Sequence, residues 1–238
     1  MTDVTRSGSS SIDQPDYWWY RARTELLQSA LGDFLGTPRR LLDVGSADGP
    51  SVSWMQGDHE RFAIDLDPRG LGAGTGVCAS ALALPFRDGS FDVVGAFDVI
   101  EHCESEARVI EELARVLAPG GRLLASVPAY QWAWSDHDER AGHYRRYTRP
   151  RLRAAVEAAG FVVDRCTYGF AGVFPVFAAE RAVRRLRRRP NAPADGLPRV
   201  SPAQDRVLMG LSRVERRVLR RRDLPFGSSV FLAAHRPG

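Results

Sequence analysis

The 238-residue sequence lacks several features that mark other classes of protein. It has no lysine, so all 33 basic residues are arginines. No apolar run approaches the roughly 18 residues that a membrane-spanning helix needs. Its three cysteines have unrelated spacings, which argues against a disulfide framework and a cysteine metal site. Residues 1–13 are polar and unlike a signal peptide, so we expect a cytoplasmic protein.

Length and composition favour one domain. With 44% hydrophobic residues, the chain can bury a full core. Residues 1–14, rich in Ser and Thr, are expected to be disordered, and residues 15–238 to form the domain. Within it we expect a core at 38–169, a helical basic insertion at 170–226 and a last strand at 228–236.

Strand-like and helical segments alternate along the expected core. Apolar runs predict strands at Arg40–Val44, Arg61–Pro68, Val77–Ser80, Phe91–Phe97, Arg122–Pro128 and from Phe161 onward. Apolar residues at helical spacing predict helices from Asp16 to about Leu31, at Glu104–Leu117 and at Pro150–Ala159. This alternation predicts an α/β fold, with a mostly parallel sheet covered on both faces. Ligands of such sheets bind at the carboxyl ends of the strands.

The turn after the first strand is typical of a nucleotide pocket. Gly45 and Gly49 have no Cβ and allow a ligand to approach the backbone. Pro50 suits the first turn of a helix, whose N–H groups favour an anion. Asp65 lies 22 residues after Asp43, near the separation of about 20 at which an acid binds a ribose diol.

A cluster of acids and a histidine follows the fourth strand. If the segment is helical, Asp98, Glu101 and His102 share one face. Oxygen ligands with one imidazole suit Mg²⁺ or Mn²⁺. The alternative is a polar rim of the ligand pocket.

The segment Trp132–Tyr147, after the fifth strand, is rich in His, acids, aromatics and Arg. We expect His137 or His143 to act as a general base that Asp138 orients, because histidine titrates near neutrality. The arginines of this segment suit a substrate carboxylate or phosphate, or a neighbouring acid. The residues expected to contact substrate are Trp134, Tyr144, Arg145 and Arg146. Alternatively, this loop only caps the next helix.

As an ordered set, these motifs resemble the class I S-adenosylmethionine (SAM) dependent methyltransferases. The matching stretches are LLDVGSADG, AIDLDP, LPFRDGSFDVV, FDVIEHC and RVIEELARVLAPGGRLLASV, within about residues 40–165. The resemblance implies a seven-stranded Rossmann-like sheet whose last strand, expected at Ser228–Ala234, is antiparallel.

The resemblance also implies SAM as the cofactor. Asp43, Gly45 and Gly49 would line its methionine portion, and Asp65 would hold its ribose. Three residues would lie beside the adenine: Ser80, Ala81 and Leu82. Further residues expected in the cofactor site are Ser46, Ala47, Leu66 and Phe97.

The segment Asp98–His102 is similar to a motif of ubiquinone-pathway O-methyltransferases and of metal-dependent small-RNA 2′-O-methyltransferases. In those groups it can hold a metal that binds the acceptor hydroxyl. We therefore expect O-methylation of a small-molecule, or lipid- or sugar-linked, metabolite. Metal-dependent methylation of an RNA ribose and a non-catalytic, methyltransferase-like scaffold at a membrane surface stay open as alternatives.

The insertion carries most of the positive charge. Between Arg181 and Arg222, 14 arginines oppose three acids, giving +11 within a total of +4. An apolar stretch, Phe170–Phe177, leads into Arg181–Arg189, which is typical of contact with an anionic membrane or a lipid-like substrate. We expect peripheral contact with the inner membrane face there. RNA is not favoured, since no RNA-binding signature accompanies the charge.

A later helix in the insertion has an apolar stripe that we expect to be a core or dimer contact. Its members are Val207, Leu208, Leu211, Val214 and Val218.

Overall fold

The computed structural model describes residues 14, 16–71, 76–187 and 200–238, with backbone alone at 46–48, 50–51, 70 and 184–187. The expected disorder of residues 1–14 therefore lies outside the described residues, except at Gln14. Arg188, Arg189 and the linker residues 190–199 also lie outside them. Within the described ranges, no helix has the length and apolarity needed to cross a bilayer.

Seven strands and six α-helices make up the regular structure of these ranges. In chain order they are α1 (Trp18–Leu35), β1 (Arg40–Val44), β2 (Glu60–Asp65), β3 (Gly76–Cys78), β4 (Phe91–Phe97), α2 (Glu106–Val116), β5 (Leu117–Pro128), α3 (Asp136–Ala141), α4 (Arg149–Ala158), β6 (Val162–Gly169), α5 (Phe174–Arg187), α6 (Pro202–Leu219) and β7 (Ser229–His235). Short 3₁₀ helices lie at Ser46–Met55, Pro68–Gly70, Ile100–His102 and Gln131–Ala133.

All seven strands form one sheet in the order β3-β2-β1-β4-β5-β7-β6. The first five strands are parallel, and β7 is antiparallel to both β5 and β6. The predicted Rossmann-like sheet with an antiparallel last strand is confirmed. Because β6 runs in the direction of β5, the carboxyl ends of β1 to β6 share one side of the sheet, here named the carboxyl edge.

The sheet is buried on both faces because its strands are almost continuously apolar. Side chains alternate between faces, so Leu42 packs in one hydrophobic cluster and Leu41 in the other. The first cluster includes the apolar stripe of α2. Ser105 caps the start of this helix, and its hydroxyl accepts from the Arg108 N–H at 3.3 Å. The second cluster holds α1 against the sheet.

Strand β5 begins five residues before the predicted Arg122. Leu117 already pairs with Phe91, and the register then shifts before Val93 pairs with Arg122. Gly120, with φ of +76°, provides the left-handed residue that this irregularity needs. The strand predicted from Arg122 thus has an earlier and irregular start.

Among the described residues, three other than glycine have a positive φ, and each follows a strand at the carboxyl edge. They are Asp98 after β4 (56°), Tyr130 after β5 (61°) and Phe170 after β6 (62°). This conformation costs on the order of 1–3 kcal/mol for a residue with a Cβ. The carboxyl edge therefore contains the strained turns of the described backbone.

Helix α6 buries a different face from the one that the core alternative predicted, while a dimer contact stays a prediction. Its buried residues are Met209, Ser212, Glu215 and Leu219, and this face packs against α1. Four residues of the predicted core stripe are exposed instead: Val207 by 63%, Leu211 by 40%, Val214 by 57% and Val218 by 38%. One polar member of the buried face has a local partner, since the Ser212 hydroxyl donates to the Leu208 carbonyl at 3.0 Å.

The two faces of α6 should respond differently to truncation. We expect Leu219→Ala to lower the free energy of unfolding by about 2–5 kcal/mol, because it leaves a cavity beneath a fully buried side chain. Val214→Ala should change it by less than about 0.5 kcal/mol. Urea denaturation of both variants measures the difference, and a larger loss in Val214→Ala would contradict the observed packing.

Candidate active site

The turn after β1 requires glycine at its first position. Gly45 has φ of +74°, and a Cβ placed there would lie 2.5 Å from Val99 Cγ2. Its N–H donates to the Ile64 carbonyl at 2.8 Å, which ties the turn to β2. Gly49 faces open space, with no atom within 4 Å of an added Cβ. The turn therefore leaves room for a ligand against its backbone.

Asp65 ends β2 beside this turn. Its Oδ1 accepts from the Asp67 N–H at 2.8 Å, and its carbonyl accepts from the Ala79 N–H at 3.1 Å. Leu66 follows with a largely exposed side chain. Beyond β3, the Ser80 hydroxyl accepts from the Leu82 N–H at 3.2 Å, and this turn packs against the core. An acid and an apolar wall thus border the open turn.

The other residues predicted to bind the cofactor differ in burial and in the contacts of their side chains. Asp43 is buried and forms an ion pair with Arg61 of β2. Phe97 is also buried, edge-on to Trp54 with 6.2 Å between ring centroids. The side chains of Ser46 and Ala47 lie outside the described residues, although their backbone forms part of a 3₁₀ helix.

The carboxylate of Asp138 organises the loop after β5. It is fully buried and accepts hydrogen bonds from the Ser135 N–H (2.9 Å) and hydroxyl (3.1 Å). Arg146 donates to both of its oxygens, at 2.7 and 3.0 Å. Burial works to raise the pKa of Asp138, but the hydrogen bonds from His143 and Arg146 outweigh it and hold the pKa below its usual range.

This ionised carboxylate determines which nitrogen of His143 carries a proton. His143 Nδ1 lies 2.8 Å from Asp138 Oδ1. Since the carboxylate can only accept, Nδ1 must donate, and Nε2 of the neutral ring keeps its lone pair. The predicted pairing of Asp138 with a histidine thus places a basic nitrogen on a fixed ring.

His137, the other candidate base, is exposed, and its ring centroid lies 6.4 Å from that of His143. Within the described ranges, no carboxylate is hydrogen-bonded to its ring. The geometry therefore favours His143 over His137.

Glu101 lies buried beside the histidines. Its two carboxyl oxygens have no hydrogen-bond partner among the described residues. Burial, reinforced by the nearby charge of Asp98, raises the pKa of Glu101 well above its usual value. Ligand atoms of Glu101, His102 and His143 lie within 4.8 Å of one another, and the rings of His102 and His143 are edge-on with centroids 4.5 Å apart.

Asp98 lies outside this group, and the expectation of one helical face shared with Glu101 and His102 is wrong. The backbone turns through a left-handed conformation at Asp98, and only Ile100–His102 forms a 3₁₀ helix. Asp98 Oδ2 instead pairs with Arg23 at 3.0 Å, and Oδ1 accepts from the Ser126 hydroxyl at 2.9 Å.

Arg23 is a site residue that the sequence did not reveal. It comes from α1, is almost completely buried and also donates to the Ser126 hydroxyl at 3.2 Å. Its partners, Asp98 and Ser126, lie 75 and 103 residues away in the chain, so no local sequence pattern predicts the contact. The N-terminal helix is thereby joined to the carboxyl ends of β4 and β5.

The two arginines expected to bind substrate have intramolecular partners. Arg146 pairs with Asp138, which corresponds to the predicted alternative of a neighbouring acid as its partner. Arg145 donates to the carbonyls of Cys103, at 2.6 Å, and Glu104. Trp134 and Tyr144 remain partly exposed at this edge, and the Tyr144 N–H donates to the Glu101 carbonyl at 2.8 Å.

An aromatic cluster beside the histidine loop was also not predicted. The ring of Tyr130 stacks on Trp132 and on Tyr168, with centroids 5.6 and 5.3 Å apart. Phe174 of α5 closes a third side at 5.4 Å. Because these rings come from separate elements, only the fold brings them together, and they give the carboxyl edge an apolar wall.

The open turn and the histidine cluster are adjacent. Val99, which contacts Gly45, lies two residues before Glu101. A ligand against the Gly45 turn therefore lies near a buried carboxyl group and an oriented imidazole. This arrangement is typical of Rossmann-like enzymes that bind a nucleoside cofactor.

Comparisons with known proteins identify that class. Residues 42–125 match the family model described as a methyltransferase domain. An uncharacterized methyltransferase of Mycolicibacterium gilvum is 34% identical over 191 residues, 73% of this chain and 69% of that relative. Another, of Mycobacterium sp. strain KMS, is 32% identical over 126 residues, 47% of this chain, and the match spans 50% of that relative's length.

A solved structure shows the same fold. Phosphoethanolamine N-methyltransferase 2 of Haemonchus contortus, in complex with SAM, has a TM-score of 0.60 and 17% identity, covering 99% of this chain and 59% of that one. The sequence relatives show that the chain belongs to the class I SAM-dependent methyltransferases, and the solved structure shares its fold.

The residues present fit SAM. The left-handed Gly45, the open space at Gly49 and the acid at Asp65 leave a backbone-lined place for an amino acid and a ribose. The exposed Leu66 and the turn at Ser80–Leu82 offer an apolar border for a purine.

Replacement of the acid at the end of β2 should weaken cofactor binding. We expect Asp65→Ala to raise the Kd for SAM about tenfold to a hundredfold, through loss of charged hydrogen bonds to the ribose. Asp67→Ala is the matched control, because Asp67 Oδ1 is bound to Arg69 Nε at 3.0 Å. Isothermal titration calorimetry measures both, and equal affinities in the two variants would reject the ribose assignment.

Proposed function

We propose that the protein transfers the methyl group of SAM to a hydroxyl oxygen of a small-molecule, or lipid- or sugar-linked, acceptor. The observation that carries this proposal is the His143 ring, whose Nδ1 is held by Asp138 so that Nε2 is left as the basic nitrogen; Arg146 in turn holds Asp138. It lies at the carboxyl edge, where ligands of parallel sheets bind.

SAM supplies a methyl group already activated by a sulfonium, so the protein's tasks are alignment and removal of a proton. Alignment rests on the Gly45 turn and Asp65, which would hold the amino acid and ribose portions. His143 Nε2 would take the hydroxyl proton as the oxygen attacks. The resulting imidazolium would be stabilised by Asp138, which is a positioning residue because it acts through His143.

The acceptor site would lie between the histidines and the aromatic cluster. Trp132 is 40% exposed and Tyr144 50% exposed, so both rings are available to an acceptor. The stacked wall of Tyr130, Trp132 and Phe174 suits a ring or a hydrocarbon chain. This lining favours an acceptor with an apolar part next to its hydroxyl group.

Incubation of cell extract with the protein and methyl-labelled SAM, followed by mass spectrometry, should reveal a metabolite that gains the label on oxygen. With that acceptor, His143→Ala should lower the rate about 10²- to 10⁴-fold, the usual contribution of a general base. His137→Ala is the control and should keep most of the rate. Full activity in His143→Ala, or label on nitrogen or carbon, would contradict the proposal.

A second candidate is a divalent ion at Glu101, His102 and His143. It is favoured by the unpartnered, buried carboxyl group of Glu101, since such a group is costly unless it finds a partner. The Asp138–His143 hydrogen bond matches the arrangement in which a carboxylate orients a ligating histidine. Two imidazoles and one carboxylate suit Mn²⁺ better than Mg²⁺, which prefers oxygen. An ion there would lower the pKa of a bound hydroxyl.

Chelation tests this second candidate. It predicts that EDTA abolishes methyl transfer, that Mn²⁺ restores it, and that Glu101→Gln prevents the restoration while leaving SAM affinity unchanged. A rate that is the same before and after EDTA treatment would reject the ion and leave His143 acting as a base alone.

A further inference from the structure

The outer face of α6 combines an apolar stripe with a line of arginines. Val207, Leu211, Val214 and Val218 recur at i, i+4, i+7 and i+11, and all four are exposed. Each of three arginines directly precedes a stripe residue, and a fourth continues their line: Arg206, Arg213, Arg217 and Arg220, all exposed. The apolar stripe and the arginine line therefore lie side by side along the helix.

Both acids of α6 are turned away from this outer face. Asp205 forms an ion pair with Arg21 of α1. Glu215 belongs to the buried face, where its Oε2 accepts from the Gly172 N–H at 2.9 Å. The exposed charge along the helix is consequently positive, and it complements an anionic surface.

This combination favours one kind of occupant. A second copy bound about a two-fold axis would bring arginine line against arginine line. A protein partner needs a shaped patch with aromatic anchors, whereas this face is a single convex helix with aliphatic side chains. A bilayer surface needs only an apolar stripe bordered by cations. We propose that the outer face of α6 binds the surface of an anionic lipid bilayer.

The position of α6 would place the carboxyl edge near that surface. Its middle lies over Gly172, which follows β6, and its first turn is tied to α1 through Arg21. On α5, an open groove adds further exposed apolar surface. It is lined by Pro175, Val176, Ala179, Val183 and one acid, Glu180, which forms an ion pair with Arg181. Membrane binding does not depend on methyl transfer; combined with the proposed function, it favours a lipid-linked acceptor.

Vesicle flotation tests the proposal with the full chain. We expect binding to phosphatidylcholine vesicles with about 30% phosphatidylglycerol, little binding to pure phosphatidylcholine, and release at about 0.5 M salt. Arg213→Gln, Arg217→Gln and Arg220→Gln together should lower the partition coefficient about a hundredfold, at about fivefold for each arginine. Val214→Asp should lower it about tenfold.

Matched controls change the same side-chain types elsewhere. The triple variant Arg39→Gln, Arg87→Gln and Arg153→Gln removes equal charge from other exposed positions, and Val162→Asp alters an exposed valine on β6. Both should bind vesicles like the wild type, with unchanged circular dichroism and SAM affinity in every variant. Absent flotation, equal binding to neutral vesicles, equal losses in the controls, or a dimer that Val214→Asp dissociates would each overturn the proposal.

Discussion

The burial of one carboxylate, that of Asp138, determines the shape of the candidate site. Removing a carboxylate from water is costly unless paired charges and hydrogen bonds satisfy it. Here the backbone and hydroxyl of Ser135, the guanidinium of Arg146 and the ring of His143 converge on its two oxygens. Helix α3 has only six residues and is too short to be stable alone. The Asp138 carboxylate therefore stabilises the loop after β5. The same carboxylate fixes the orientation of the His143 ring.

A second ionic contact joins helix α1 to the carboxyl edge of the sheet. Arg23 lies in α1, yet its guanidinium is buried against Asp98 and Ser126, and it also lies 5.0 Å from the centroid of the Trp19 ring. Trp19 in turn stacks on Phe170 with 5.6 Å between centroids. The carboxyl ends of β4, β5 and β6 are thereby clamped by one helix that is not part of the parallel core.

Much of the fold could be predicted because its signals are local. The apolar runs around Leu42 and Val94 are long and β-rich, and the glycine-containing turn between strand and helix has few alternatives. The core alternative for the apolar stripe of α6 is wrong for a physical reason. Periodicity shows that a stripe exists, but it does not show which face is buried. Ser212 enters the interior because its hydroxyl donates to the Leu208 carbonyl, and Glu215 enters with Oε2 bound to the Gly172 N–H and Oε1 without a partner among the described residues.

The site was predicted in part for similar reasons. Asp138 and His143 lie five residues apart, so their pairing is a short-range property that the sequence displays. The grouping of His143 with Glu101 needs two loops to meet at the carboxyl edge. The spacing of Asp98 predicted that it shares a helical face with Glu101 and His102. The backbone at Asp98 has a positive φ instead, and its side chain pairs with Arg23. Contacts between distant segments leave no periodic trace in the chain.

The left-handed residues Asp98, Tyr130 and Phe170 have a further consequence for how this protein can evolve. Glycine or asparagine would relieve the backbone at these three positions, yet each side chain present makes contacts at the carboxyl edge: an ion pair, a ring stack in the aromatic wall, and a ring stack against Trp19. Selection for thermal robustness and selection for function therefore oppose each other there. Glycine substitutions made there to stabilise the protein would remove contacts at the carboxyl edge, where the proposed catalytic residues lie.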